Sequence, residues 1–187
     1  MLENKLGITN SAELAREEER ISKTKASVMF ESGFLDTLEA GTVSTLCEIH
    51  RFLFCDIYDF AGKLRTVNIS KGKFRFASVM YLEDALAAVE KMPQSSFDEI
   101  IEKYVEMNIA PPFREGNGRS MRIWLDLMLK ASLGKVTDWN SVDKASYLAA
   151  MEHSPVSDRD IKAVIASALT DRISDRDTFM KGIDNSY

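Results

Sequence analysis

Residues 111–122 read PPFREGNGRSMR, and this stretch decides how the elements around it are arranged. Two prolines end a helical pattern, because Pro112 disfavours helical geometry at the residue before it. Gly116 and Gly118 flank Asn117, so the backbone there is free to adopt positive φ angles in a tight turn. An apolar helical run follows directly. The stretch therefore predicts two helices joined by a short glycine-rich turn, with the second helix starting at the turn.

This turn and the helix start are a candidate anion site. Backbone N–H groups in such a turn can point at one position, and the helix dipole adds positive potential there. Arg119 and Arg122 are three residues apart and share a helix face, where their guanidinium groups suit phosphate oxygens. Glu115 offers a hard oxygen to a Mg²⁺ ion that bridges those phosphates. The residues alone leave two interpretations open: a polyphosphate cradle with one metal ion, or a glycine-rich helix start whose arginines pair with nearby carboxylates.

Helical patterns fill most of the remaining chain, which has four prolines and nine glycines among its 187 residues. Residues 43–54 place apolar side chains at the spacing of a core-facing helix. Ser96 and Glu99 fit a capping box. Ser157 and Ser174 each precede an aspartate by three residues, which is a weaker form of the same signal. The patterns predict an all-α fold, a helical bundle.

One segment, residues 65–78, departs from the helical pattern. It contains two short alternating runs on either side of Lys71 and Gly72. Alternation around a glycine-containing pair predicts a small β-hairpin, with an irregular loop as the alternative. We name residues 65–78 the flap.

Length and composition bound the class of protein. At 187 residues, a single domain over residues 1–187 is expected. The net charge of −5 argues against a nucleic-acid partner, because neutralising phosphates needs a basic face. No apolar run approaches the roughly 20 residues of a membrane span, and the N-terminus lacks the apolar core of a signal peptide. Cys47 and Cys55 are the only cysteines, so free thiols and a cytoplasmic location are expected, with no membrane partner.

The motif FREGNGRSMR closely resembles the HxFx(D/E)GNGRxxR signature of Fic-domain proteins, which typically transfer AMP from ATP to a hydroxyl on a target protein. The matching positions are Phe113, Glu115, Gly116, Asn117, Gly118, Arg119 and Arg122. Residues 49–65 resemble the upstream family segment, and residues 68–77 resemble the family's hairpin flap. The resemblance to the small single-domain Fic proteins, a mostly helical group, covers almost the whole chain.

The resemblance implies a role for each motif position. Glu115 would bind Mg²⁺, and residues 116–118 would form the anion hole around the α-phosphate of ATP. Arg119 would hold the β/γ end of the triphosphate, and Arg122 the γ-phosphate. Phe113 would pack beneath the loop as a core anchor.

The resemblance also implies how the partners bind. The flap would clamp the nucleotide and the backbone of an unidentified target protein by strand addition. The flap residues expected to do so are Lys71, Gly72, Lys73 and Phe74. The adenine pocket is expected near Tyr147 and Leu148. Residues 15–25 are expected to form a solvated helix face, with a contact in a homo-oligomer as the alternative.

Pro111 departs from the family pattern. The family has a histidine at this position, which acts as general base on the target's hydroxyl, and proline has no titratable group. Losing a positioned base typically lowers the rate 10²- to 10⁴-fold. His50 is expected to be a core or buttressing residue and His153 to be exposed or capping, so neither replaces the base. We expect an adenylyltransferase by family that binds nucleotide but transfers AMP poorly or not at all.

The C-terminal end departs from the family pattern as well. Small Fic proteins of this class carry an inhibitory [S/T]xxxE[G/N] motif, whose glutamate pairs with the second motif arginine. Ser186 resembles its first residue, at the end of a helix expected over about residues 173–187, and the chain ends at Tyr187 before the glutamate. Arg122 would then be free for the γ-phosphate, unless Ser186 merely ends a frayed tail. Tyr187 is a candidate for self-modification.

Three classes of function stay open at this point. The first is AMP transfer by a Fic domain. The second is a Fic fold that transfers another phosphate-containing group, such as UMP or phosphocholine. The third is a non-catalytic module that binds nucleotide.

Overall fold

The computed structural model describes residues 2–71 and 74–184, apart from the side chains of Lys71 and Phe74. Its architecture is mostly helical, as predicted, and eight α-helices lie within the described residues. They are α1 (Ser11–Glu31), α2 (Val43–Phe54), α3 (Leu82–Glu90), α4 (Phe97–Ile109), α5 (Asn117–Leu133), α6 (Lys144–His153), α7 (Arg159–Ser167) and α8 (Arg176–Asp184). Three short 3₁₀ turns cover Phe34–Thr37, Val79–Tyr81 and Trp139–Ser141.

The flap contains the predicted antiparallel hairpin. Strand β1 (Ser70–Lys71) pairs with β2 (Phe74–Arg75), and Lys71 lies opposite Phe74. The hairpin is confirmed against the irregular loop, but the turn was predicted one residue too early, because Lys71 belongs to a strand.

A second strand pair was not predicted. Strand β3 (Val136–Thr137) runs antiparallel to β4 (Leu169–Thr170), so it links the segment that follows α5 to the segment that follows α7. Each strand has two residues. Alternation cannot be recognised over so short a run, because a period of two residues needs several repeats to show.

The start of α4 has the predicted capping box. The Glu99 backbone N–H donates to the Ser96 hydroxyl at 3.4 Å, and the Glu99 carboxylate accepts from the Ser96 N–H at 3.1 Å. Both partners satisfy donors that a helix start otherwise leaves unpaired.

The capping boxes predicted for the last two helices are wrong. Among the described residues, neither Ser157 nor Ser174 accepts a helix N–H. Asp158 is the N-cap of α7 and makes no side-chain cap. At α8, the Asp175 carboxylate accepts from the Thr178 N–H at 2.8 Å. Asp175 directly follows Ser174, and a carboxylate is the stronger acceptor beside the positive end of a helix.

Helix α5 is central, since it contacts α2, α4 and α8. Trp124 and Leu125 on α5 are fully buried, and so is Trp139 beyond its end. Helix α1 packs on both α2 and α8. The motif turn at the start of α5 therefore rests on a framework built from both ends of the chain. Within the described part of the chain, no helix combines the length and apolar content needed to cross a membrane.

Candidate active site

The motif turn is fixed by its own residues. Gly116 has φ of 78°, and a Cβ atom there would lie 2.5 Å from the Phe54 ring, so only glycine fits. The Asn117 amide oxygen accepts from the Phe113 N–H at 2.9 Å, and its Nδ2 donates to the Phe113 carbonyl at 2.7 Å. The Asn117 side chain thus closes the loop by bonding both backbone groups of Phe113.

His50 supports this loop from below. The Gly62 N–H donates to Nδ1 at 2.9 Å, so Nε2 carries the proton and donates to the Glu115 carbonyl at 2.8 Å. The His50 ring stacks on Phe113 with 3.8 Å between centroids, and both side chains are fully buried. Burial lowers the pKa of His50 to about 4, although its hydrogen bond to the Glu115 backbone acts in the other direction. His50 is a neutral buttress and Phe113 a core anchor, as predicted.

The first turn of α5 presents backbone donors that have no partner among the residues the structure describes. The Ser120 N–H bonds back to the Gly116 carbonyl at 3.3 Å. Residues 117–119 precede it, and a helix start has no carbonyl inside the helix for such N–H groups. These donors and the positive end of the helix dipole favour an anion beside Gly118.

A cavity of about 750 Å³ opens beside this helix start. We name it the motif cavity. Its motif side is lined by Pro111, Arg114, Glu115, Asn117, Gly118, Met121 and Arg122. The facing side includes Ile69, Ser70 and Phe76 of the flap and Tyr147, Leu148 and Met151 of α6. The structure therefore brings seven of the predicted residues to one space, namely Pro111, Glu115, Asn117, Gly118, Arg122, Tyr147 and Leu148.

Arg122 lies at the inner end of this arrangement. It lines the motif cavity but is only 2% exposed. Its Nε donates to the Gly182 carbonyl of α8 at 2.7 Å, and its guanidinium lies 5.7 Å from the Trp139 ring centroid. A Cβ at Gly182 would lie 2.9 Å from the same indole ring. Helix α8 thus approaches closely enough to hold Arg122 in place.

Arg119 points in a different direction. Its guanidinium forms an ion pair with Glu18 and donates to the Ser22 hydroxyl at 2.7 Å, both on α1, and lies over the Phe54 ring. Tyr58 donates to the same Glu18 carboxylate. Arg119 is absent from the lining of the motif cavity. Pairing with a carboxylate, the second interpretation of the sequence, therefore describes Arg119, whereas Arg122 faces the cavity. A phosphate contact by Arg119 stays a prediction.

Glu115 is the candidate metal ligand, and it is exposed at the rim of the cavity. One of its carboxylate oxygens accepts from the Gly116 N–H at 3.0 Å. No group of three or more acidic, histidine or cysteine side chains that could hold a metal occurs among the described residues. A single carboxylate fits Mg²⁺, which protein sites often hold through one or two carboxylates together with substrate phosphates.

The predicted flap residues are only partly placed. The backbones of Lys71 and Phe74 form the hairpin. The flap side chains that line the cavity are neighbours of these residues, at Ile69, Ser70 and Phe76. Four predicted positions lie outside the described residues: Gly72, Lys73, Ser186 and Tyr187.

Two residues beside the site were not predicted. Glu18 belongs to the buried stripe of α1, where a carboxylate among Leu14, Ser22 and Ala26 was a usable signal. A charged residue on a core-facing stripe requires a partner. Arg65, at the base of the flap, gave no local signal, because all of its partners except Val67 are distant in the sequence.

The motif turn, the flap and the helical frame agree with the comparison with known proteins. Residues 40–129 match the model of the Fic/DOC family, and this part of the chain is a Fic domain.

The relatives cover more than this segment. The chain is 26% identical to the probable protein adenylyltransferase Fic of Salmonella typhimurium, over 91% of this chain and 88% of that protein. It is 30% identical to the protein adenylyltransferase VbhT of Bartonella schoenbuchensis, over 90% of this chain but only 37% of that longer protein. The crystal structure of BepC from Bartonella tribocorum, a VirB-translocated effector with bound AMPPNP, has a TM-score of 0.74 at 18% identity and covers 91% of this chain and 92% of BepC. BepC therefore shares the fold.

Proposed function

We propose that the motif cavity is a protein adenylyltransferase site that binds Mg-ATP and transfers AMP to a hydroxyl of a target protein, slowly in this chain because of Pro111. One observation carries the proposal. The amide-rich start of α5, the Glu115 carboxylate and the Arg122 guanidinium open into one cavity of about 750 Å³, beside a strand hairpin. Phosphates, a metal ion and an extended peptide each have a matching surface there.

The relatives support this assignment. Two of them are named protein adenylyltransferases. BepC, which shares the fold, binds AMPPNP in its crystal structure. A nucleoside triphosphate is therefore the ligand we assign to the motif cavity.

The transfer requires few groups from the protein. The target's hydroxyl oxygen attacks the α-phosphorus, the bond to the β-phosphate oxygen breaks, pyrophosphate leaves, and the hydroxyl proton must be accepted. The N–H groups of residues 117–119 stabilise charge on the α-phosphate oxygens. Arg122 binds the far end of the triphosphate, and Tyr147 and Leu148 border the space assigned to the adenine ring.

Glu115 would hold Mg²⁺, which supplies charge neutralisation between the phosphates when bound. The second carboxylate oxygen of Glu115 has no hydrogen bond among the described residues, so it is available as a ligand. The rest of the metal's coordination would come from phosphates and water.

Pro111 leaves the proposed catalytic arrangement without a general base. It lines the cavity where a base would reach the hydroxyl, but it has no group that accepts a proton. His50 cannot substitute, since it is buried and both of its ring nitrogens are engaged. This observation favours a second candidate function, a non-catalytic module that binds nucleotide.

A transfer assay distinguishes the two functions. Wild type and Pro111→His are incubated with α-labelled ATP, Mg²⁺ and a lysate that supplies targets. We expect the histidine to raise target labelling 10²- to 10⁴-fold, because a positioned base contributes that much. Pro112→His, which places the imidazole one residue away, is the matched control and should gain nothing.

Two results would contradict the proposal. Labelling by the wild type at the rate of Pro111→His would show that the base is not missing. If Pro111→His binds ATP without labelling any protein, the non-catalytic module is favoured instead. Parallel reactions with labelled UTP and CDP-choline test the other donors.

The proposal includes a cellular location for the protein. Cys47 and Cys55 are unpaired thiols, which fits a reducing compartment such as the cytoplasm.

Regulation is a further part of this proposal. Helix α8 contacts Arg122 through the Gly182 carbonyl, so we infer that the segment after Asp184 can regulate nucleotide binding. Appending a tail that contains a glutamate should then weaken ATP binding in calorimetry, and unchanged affinity would count against this regulation.

A further inference from the structure

Arg65, at the base of the flap, uses every nitrogen of its guanidinium group on a backbone carbonyl. Its Nε donates to the Pro111 carbonyl at 2.8 Å, Nη1 to the Val67 carbonyl at 2.9 Å and Nη2 to the Ala77 carbonyl at 2.6 Å. The residue is only 3% exposed. One buried side chain therefore connects three separate points of the backbone.

The backbone of Arg65 adds a fourth connection. Its N–H donates to the Pro112 carbonyl at 2.7 Å. Pro111 and Pro112 have no N–H of their own, so their carbonyls are the only backbone groups through which these two residues can be hydrogen-bonded. Arg65 binds both of those carbonyls and so fixes the loop that carries the catalytic position.

The other two acceptors belong to opposite arms of the flap. Val67 precedes strand β1 and Ala77 follows strand β2. The Ala77 N–H donates to the Ile109 carbonyl at 2.9 Å, at the end of α4. The Val79 N–H donates to the Asn68 side chain at 2.8 Å and closes the base of the flap. The position of both arms relative to the motif loop thus depends on contacts centred on Arg65.

The charge of Arg65 is balanced in an unusual way. Among the described residues no carboxylate pairs with it, and burial lowers the pKa of its guanidinium. Backbone carbonyls alone solvate the charge. Burying a charge without a counter-ion is unfavourable unless its hydrogen bonds are complete, and a planar fork with donors in fixed directions suits several carbonyls at once. Lysine, with its single nitrogen, cannot reproduce this geometry.

We propose that Arg65 is a positioning residue that couples the flap to the motif loop and thereby sets the width of the motif cavity at Pro111. The coupling itself follows from these contacts, whereas its effect on nucleotide affinity rests on the proposed function. Arg65 touches no reacting atom; it acts through the carbonyl of residue 111 and through the flap.

The experiment compares Arg65→Met and the milder Arg65→Lys with Lys103→Met. Lys103 is a suitable control because it is also buried, at 2% exposure, and its Nζ donates to the Glu90 and Met92 carbonyls and to the Gln94 side chain. Lys103→Met therefore removes an interior cation that binds backbone carbonyls, as Arg65→Met does, but at a position away from the flap.

Hydrogen exchange at the Ala77 amide is measured relative to core amides of α5. We expect this ratio to rise at least tenfold in Arg65→Met, less in Arg65→Lys, and not at all in Lys103→Met. The ratio of the two exchange rates corrects for general destabilisation of the fold, which would accelerate exchange at Ala77 and at the α5 amides alike. An unchanged ratio in Arg65→Met would overturn the coupling.

The second measurement is the affinity of the full chain for Mg-AMPPNP by calorimetry. We expect Arg65→Met to weaken binding at least tenfold and Lys103→Met less than twofold. Equal affinities for wild type and Arg65→Met would overturn the effect on the cavity. If the wild type gave no heat, the proposed function would fail, while the exchange ratio would still decide the coupling.

Discussion

At the scale of single residues, His50 makes the stability of the protein depend on pH. Burial lowers its pKa from 6.5 to about 4. Between these pH values the unfolded chain binds a proton at His50 and the folded chain does not, so stability falls as the pH is lowered. The contribution reaches about 3 kcal/mol, because each pKa unit corresponds to roughly 1.4 kcal/mol.

We expect His50→Gln to remove this dependence while lowering stability at neutral pH. The measurement is the free energy of unfolding by urea from pH 7 to pH 4. Burial raises the pKa of Asp126 to about 6, which acts in the opposite sense over part of this range, so the difference between wild type and variant is the quantity to compare. His153→Gln, at an exposed histidine, is the control. Parallel pH profiles for wild type and His50→Gln would contradict the prediction.

The residues that the sequence predicted are those with a local pattern. Gly116 and Asn117 adopt the expected turn, and Phe113 is buried beneath it. The pairing of Glu18 with Arg119 joins residues on two distant helices, and nothing next to either residue indicates the other. For the same reason the direction of Arg119 could not be predicted.

At the scale of secondary-structure elements, the start of α4 offers a direct test. Ser96→Ala removes the hydroxyl that accepts the Glu99 N–H, so we expect a loss of about 1 kcal/mol in the free energy of unfolding. Ser95 is the control, because it is adjacent and exposed and its hydroxyl makes no hydrogen bond among the described residues. Equal stability of Ser96→Ala and Ser95→Ala in urea unfolding would refute the role of the cap.

Elements with periodic or capped sequences were predictable, and those without were not. Helix α5 follows from its apolar run, and the flap hairpin follows from alternation. Strands β3 and β4 are too short to show a period, and their pairing joins segments more than 30 residues apart in the sequence. The cap of α8 was misassigned for a local reason, since Ser174 and Asp175 are adjacent and the carboxylate is the stronger acceptor.

At the scale of the whole molecule, ligand binding should stabilise the fold. A ligand that binds only the folded state at a hundredfold excess over its Kd adds about 2.7 kcal/mol. We expect Mg-ATP to raise the melting temperature in a concentration-dependent way. Glu115→Gln should reduce this rise, because the amide of the introduced glutamine is a weaker ligand for Mg²⁺ than a carboxylate. The measurement is a thermal melt with ATP, with and without Mg²⁺.

Two results of that melt are decisive. A melting temperature independent of Mg-ATP would contradict binding to the motif cavity. An equal rise in melting temperature for wild type and Glu115→Gln would show that Glu115 does not bind the metal ion. Glu152 also lines the cavity and is exposed, so Glu152→Gln is a matched control that should behave as wild type.

The whole-molecule arrangement explains which parts of the site the sequence conceals. Helix α1 reaches the motif through Glu18, and α8 reaches it through the Gly182 carbonyl. Both contacts connect the motif with residues near the two ends of the described chain. Such contacts depend on packing between helices rather than on any neighbouring residue, so they become visible only in the folded structure.

The closeness of Trp139 to Arg122 gives the protein a built-in optical probe. The chain has two tryptophans, Trp124 and Trp139, and both are fully buried. Indole emission responds to charges beside the ring, and the Arg122 guanidinium lies 5.7 Å from the Trp139 centroid. In a chain whose Trp124 is replaced by phenylalanine, the remaining fluorescence would report on this arginine without any attached dye.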